Sequence, residues 1–194
     1  ELKIYRRFTS VLSLTYKRYK DLKQAEAQAR EAQIEAALER VRAKVQAMRF
    51  SGDLIDVAQN LREQMGKLGQ PELESSIVHL YHDGSETFDA WYAYRTPGDD
   101  SSKIITGAVP VSVNISEWSR EVMDKYQSPE SEYTIESSGH KLREWYGVVE
   151  KLAPETINYD INGEMIVPPK LFYHFSKFSG GALLTISSQK PSDT

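Results

Sequence analysis

A chain of 194 residues has room for one domain of about 150 residues with an extended arm, or for one larger domain. Hydrophobic content of 40% and charged content of 27% exclude wholesale disorder. No apolar run reaches the ~18 residues that span a bilayer, and no basic-then-apolar signal peptide opens the sequence. The absence of cysteine excludes a disulfide framework, a thiol nucleophile and a thiolate metal site, and it fits a reducing cytoplasm.

The net charge of −4 conceals an asymmetry. Residues 1–50 carry 12 Lys/Arg against 6 Asp/Glu, whereas residues 51–194 carry 12 against 22. A basic arm therefore precedes an acidic body. Basic arms can meet nucleic acid or anionic lipid. No zinc-finger spacing or aromatic–glycine RNA-binding signature accompanies this one. A solvated helix face is the expectation, with no nucleic-acid partner. The chain opens on Glu1 rather than Met, as a piece of a longer protein would.

The arm, residues 1–50, reads as one long helix. Glu1 to Met48 contains no Gly or Pro, and Ala25–Ala47 is rich in strong helix formers. Ile34, Leu38, Val41, Val45 and Met48 recur at alternating intervals of four and three, a heptad seam. Phe8, Leu12, Thr15, Tyr19 and Leu22 keep the same rhythm in another phase, and alanines fill the join. Such a shift changes the supercoil locally. As a helix, 48 residues extend ~72 Å, longer than a ~150-residue domain is wide. A projecting helix with a seam calls for a partner, and a parallel homodimer is the most economical one. The competing expectation folds the seam back onto its own domain.

The body, residues 51–190, alternates helices and strands, and residues 191–194 read as a tail. Ser51 is the expected N-cap of a helix over Asp53–Leu68, stopped by Gly69-Gln70-Pro71. Two β-rich runs follow, Ser76–His82 and Thr87–Arg95, with a turn signal at Asp83-Gly84 between them. Ile104–Val113 contains Pro110 and so belongs at a sheet edge or in an interrupted strand. A short helix over Asn114–Tyr126, a strand over Glu132–Glu136 and a helix over Lys141–Leu152 come next. Residues 155–169 read as irregular. Lys170–Phe178 and Ala182–Ser188 flank Ser179-Gly180-Gly181, the clearest hairpin. This order predicts an α+β fold, an antiparallel sheet with helices packed on it.

Motifs that carry chemistry are missing. There is no phosphate-binding glycine loop, nucleophile elbow or His-Glu-x-x-His pair, and no carboxylate pair stands out as an acid/base couple. His79 and His82 lie three apart on a strand and point to opposite faces, so they read as surface residues rather than metal ligands. No catalytic residue, metal or cofactor is expected. Aromatic residues are the better clue. Trp91, Tyr92 and Tyr94 crowd one strand, Tyr173 and His174 sit among aromatics on another, and Trp118 and Trp145 lie on the two short helices. These seven are the candidate pocket residues, although any of them serves equally well in a core. Which face of Thr87–Arg95 looks inward is not decided by one strand.

Several segments resemble a known family. AEAQAREAQIEAALERVRAKVQAM (residues 25–48) is similar to the linker helix before sensory domains in bacterial multi-domain signalling proteins, among them sensor histidine kinases. SGDLIDVAQNLREQMGKLG (51–69), LREWYGVVEKL (142–152) and FYHFSKFSGGALLTIS (172–187) resemble the first helix, a later helix and the closing hairpin of a GAF-type domain. RRFTSVLSLTYKRYKDL (6–22) resembles the helix that leaves a preceding copy of such a domain. The resemblance implies a tandem sensory array and a central antiparallel sheet, with helices on one side and a ligand pocket under loops on the other. It implies a small-molecule ligand, or a role in dimerisation only. Without cysteine, covalent bilin attachment is excluded, and the Asn-Lys-x-x-x-Phe-x-x-x-Asp-Glu signature of cyclic-nucleotide-binding members is absent. The expectation is a non-catalytic, cytoplasmic sensory domain whose state passes through a dimeric coiled coil. The alternatives are a ligand-free spacer, a PAS-like sensor or a small α+β enzyme.

Overall fold

The computed structural model describes residues 2–68, 75–95 and 104–188. Twelve elements follow one another: α1 (Leu2–Gln46), a 3-10 turn (Ser51–Asp53), α2 (Leu54–Lys67), β1 (Ser75–Tyr81), β2 (Thr87–Arg95), β3 (Ile104–Ser112), α3 (Glu117–Gln127), β4 (Glu132–Ser138), α4 (Gly139–Leu152), a second 3-10 turn (Pro154–Thr156), β5 (Lys170–Phe178) and β6 (Gly181–Ser187). The fold class is α+β, as expected. The stop at Gly69-Gln70-Pro71 and the 191–194 tail lie outside the described residues. No helix among the described residues is long and apolar enough to cross a membrane.

The chain divides into two compact units between Arg40 and Val41. The charge break at Ser51-Gly52 falls ten residues later, so the last turn and a half of α1 belongs to the second unit. Within that unit Lys44 of α1 pairs with Asp56 of α2 at 3.1 Å. Helix α1 spans 45 residues, about 68 Å at 1.5 Å per residue. Its residues 2–33 are all exposed. Of the heptad seam, Leu38 and Val45 are exposed while Ile34, Val41 and Met48 are half-buried. Met48 lies past the helix end, its amide donating to the Val45 carbonyl at 3.2 Å in a closing turn.

Ser51 is not the N-cap of α2. A 3-10 turn intervenes, and Asp53 takes the cap position. The Asp53 carboxylate accepts backward, from the Arg49 amide at 2.7 Å and the Phe50 amide at 3.4 Å. It thereby ties the α1–α2 link to the start of α2.

Six strands form one antiparallel sheet in the order β3-β2-β1-β6-β5-β4. Two three-stranded halves, β1–β3 and β4–β6, thus join along β1 and β6, where Ile77 faces Leu184 and Val78 faces Leu183, and in the second half α4 intervenes between β4 and β5. Pro110 lacks an amide to donate, and β3 is indeed an edge strand. The β5–β6 hairpin turns on Ser179-Gly180 with Gly180 at φ +86, a backbone region that favours glycine. Gly181 directly after it admits no side chain, because a Cβ there would stand 2.4 Å from the His79 carbonyl oxygen.

Both faces of the β1–β2 region are covered. Val78, Trp91 and Ala93 face α2, with Ala58 and Leu54 across from them. On the other face Phe88, Ala90, Tyr173 and Leu184 meet Trp118 and Val122 of α3 and Leu142 of α4. The period-2 alternation of β2 therefore separates two apolar layers rather than a wet face from a dry one. The β4–β5 end is different: Glu132, Thr134 and Glu136 alternate outward on β4, exposed to solvent, with Tyr133, Ile135 and Ser137 buried.

Candidate functional site

The larger apolar layer is incompletely filled. A cavity of about 120 Å³ lies on the face of the sheet that α3 and α4 cover. Its floor comes from alternate residues of five strands, including Ser75, Ile77 and His79 of β1, Ala90, Tyr92 and Tyr94 of β2, and Leu184 and Ile186 of β6. Its roof is Trp118 of α3, Trp145, Tyr146 and Val149 of α4, and Thr156 of the second 3-10 turn. No Lys, Arg, Asp or Glu is among the described residues that line it.

Local structure explains why the roof residues point inward. Helix α3 begins with a reciprocal cap. Ser116 Oγ accepts from the Ser119 amide at 3.1 Å, and Ser119 Oγ accepts from the Ser116 amide at 3.0 Å. That cap sets the first turn, and Trp118 in it is fully buried. The Trp118 ring stacks on Trp145 at 4.0 Å and leans on Tyr173 at 5.0 Å. Helices α3 and α4 are clamped at their starts as well, by Lys141 to Glu121 at 2.7 Å and by the Glu117 amide donating to Glu144 at 2.9 Å.

The polar groups around the cavity are few and each has a definite state. His79 is buried, its Nδ1 within 3.1 Å of Tyr81 Oη and its ring tilted on Phe88 at 4.6 Å. Burial drives its pKa down to about 3, so the imidazole is neutral at any physiological pH. Burial likewise holds the Tyr173 hydroxyl well above the ordinary tyrosine range. Tyr92 Oη donates to the Glu155 carboxylate, and burial together with that bond raises its pKa. This contact ties the second 3-10 turn to the sheet. It depends on Gly107, the cross-strand partner of Tyr92 on β3: a Cβ there would stand 2.2 Å from Tyr92 Oη. Ser75 Oγ and Trp118 Nε1 are buried with no hydrogen-bond partner among the described residues. Buried polar atoms of this kind are uncommon and call for an explanation.

Of the seven residues singled out from the sequence, Tyr92, Tyr94, Trp118, Trp145 and Tyr173 converge on this cavity. Two do not. Trp91 lies on the opposite face with α2, because its neighbours Ala90 and Tyr92 occupy the cavity face and strand side chains alternate. His174 also lies opposite. Its Nε2 is 2.8 Å from Ser187 Oγ and its Nδ1 3.0 Å from Thr134 Oγ1, and partial burial lowers its pKa. Reading His79 as a surface residue is corrected by its near-complete burial, whereas His82 is exposed and 3.0 Å from Asp89.

Sequence reasoning missed Ser75, His79 and Glu155. The available signal for the first two was the alternation Ser75-Ile77-His79-Tyr81, which puts them on one face. For Glu155, sitting in a stretch read as irregular, no local pattern points to Tyr92, 63 positions away. Among the described residues no cluster of His, Asp and Glu is placed to hold a metal ion. Compared with protein-family models, curated proteins and solved structures, the chain matches none of them.

Proposed function

We propose that the second unit is a non-catalytic sensory domain of GAF type from a bacterial signal-transduction protein, working in the cytoplasm. It takes a small molecule into the cavity and passes the resulting change to a coiled coil formed by the long helices of two copies. The observation that carries this reading is the cavity itself. Trp118 and Trp145 wall it rather than fill it, and Trp91 is absent from it. A helix on one sheet face and a cavity on the other agree with part of the resemblance seen in residues 51–69, 142–152 and 172–187; the roof is formed by α3 and α4, where the resemblance implies loops.

The relay has a physical route within the second unit. Strands β1 and β2 carry cavity residues (Ile77, His79, Tyr92) on one face and α2 contacts (Val78, Trp91, Ala93) on the other. A ligand that shifts β1 and β2 also shifts the surface on which α2 rests. Helix α2 is joined through Asp53 to the end of α1. A ligand drives such a change only by binding one packing more tightly than the other.

Thermal-shift screening of the chain against neutral and charged metabolites tests the reading. A compound that raises the unfolding temperature, and whose effect disappears when Ala90→Phe fills the cavity, supports it. If no compound shifts the transition, the ligand-free spacer is the better account.

A further inference from the structure

Size, charge and hydrogen bonding together restrict what the cavity can hold. Its volume of about 120 Å³ is somewhat below the ~150 Å³ of an apolar protein cavity that takes up benzene. It suits a single ring and not a nucleotide or a tetrapyrrole. No charged side chain is among the described residues that line it, and an ion there would give up its hydration for no counter-charge. His79 is held neutral by burial. Several polar side chains of the lining are engaged by the protein itself. Tyr92 Oη donates to Glu155, Thr156 Oγ1 donates to the Ala153 carbonyl at 2.8 Å, and His79 Nδ1 lies 3.1 Å from Tyr81 Oη. Ser75 Oγ and Trp118 Nε1 are closed off even to water and so offer a ligand nothing. Ile77, Val109, Val149, Leu184 and Ile186 add aliphatic side chains to the same surface. Apolar walls around a void lack dispersion contacts on that side.

Resting on the sensory reading above, we propose that the cavity binds a small, uncharged, apolar molecule about one ring in size, held by shape and dispersion and by no hydrogen bond. Such a molecule restores the missing contacts and leaves water without stranding a polar group. A hydroxyl on the ligand counts against it, because in a dry site without a partner it forfeits the hydrogen bonds it made with water. A full charge counts against it more strongly. A second fused ring overfills the volume and forces the walls apart.

The test titrates toluene, phenol, benzoate and naphthalene into the full chain, with calorimetry and the unfolding temperature as readouts. Toluene is expected to bind saturably and to raise the unfolding temperature. Phenol, of the same size, is expected to bind roughly fivefold more weakly, naphthalene about tenfold more weakly, and benzoate not at all over the same range. Ala90→Phe and Val149→Phe fill the cavity from the floor and from the roof, and each is expected to abolish toluene binding. Where one fails to fold the other decides, and where both fail the wild-type series decides. Phenol binding as tightly as toluene overturns the absence of hydrogen bonding. Benzoate binding overturns neutrality, and naphthalene matching toluene overturns the size limit. Toluene binding that survives in a folded filling variant overturns the site. If none of the four binds, the ligand class is wrong. In that case a compound of another class that stabilises the wild type but not Ala90→Phe preserves the sensory reading, and its absence removes both. Toluene binding that leaves amide hydrogen exchange in α2 unchanged supports the ligand class and removes the relay.

Discussion

Single side chains decide how the cavity is shaped and held. Gly107 is the sharpest case. With no Cβ it lets Tyr92 lie across β3 and reach Glu155. Gly107→Ala forces the ring aside, breaks that bond and frees the second 3-10 turn from the sheet. The expected cost is about 1–3 kcal/mol, read as a lower denaturation midpoint with an unchanged m-value. An unaltered midpoint refutes the role given to Gly107. His79 supplies a second test, through pH. Its folded-state pKa of about 3 lies below the unfolded value of 6.5, so the unfolded chain binds the extra proton. Stability is therefore fully present above pH 6.5 and falls as pH drops toward 3. Relative to His79→Phe, which keeps a ring against Phe88, the wild type should lose about 2 kcal/mol between pH 7 and pH 5. His174 shifts in the same direction but is present in both proteins and cancels. Neither residue declares its role in the sequence. Gly107 is an unremarkable strand glycine, and His79 looks like a surface residue until both faces of β1 are known to be covered. Face choice in a doubly covered sheet is decided by tertiary packing, and the alternation of one strand does not contain it.

Helices and strands were far more legible, because each is announced by local chemistry. Thr87–Arg95 and Lys170–Phe178 were readable to the residue, as alternating β-formers bounded by turn residues. Pro110 marked β3 as an edge strand. The failures fall at junctions. Ser51 has the side chain of an N-cap, yet the inserted 3-10 turn moves the cap position to Asp53. The sequence pattern puts the start of α3 at Asn114, whereas the helix begins at Glu117 behind the Ser116–Ser119 box. That box bears on the cavity, since it orients the turn carrying Trp118. Ser116→Ala leaves the Ser119 amide unpaired in a buried setting and should cost about 1 kcal/mol. It should also change the near-ultraviolet circular dichroism of the stacked Trp118–Trp145 pair. A loss of stability with an unchanged aromatic spectrum would separate the cap from the positioning of the roof.

Across the full chain, the asymmetry of charge and the division into compact units do not coincide. Charge changes sign at Ser51-Gly52, where composition shifts, while contacts divide at Arg40 and Val41. The end of α1 therefore belongs with the body in packing although it belongs with the arm in composition. This has a consequence for assembly. Ile34 and Leu38 lie before the division, and Val41, Val45 and Met48 after it, so a seam pairing two copies would hold both units to their partners. Fully burying an Ile or Leu side chain contributes about 1.5–3 kcal/mol. Lysine at Ile34 and Leu38 removes two such contributions per helix and sets four like charges against one another. Ile34→Lys with Leu38→Lys should therefore convert a dimer into a monomer of about 22.1 kDa by light scattering. Both substitutions lie outside the second unit, so its unfolding should remain a single cooperative transition. The wild-type chain should scatter at twice that mass. A variant that remains dimeric would show that the seam does not join the copies. A wild-type chain that is monomeric would turn the seam back toward its own domain, the other arrangement that a heptad stripe allows.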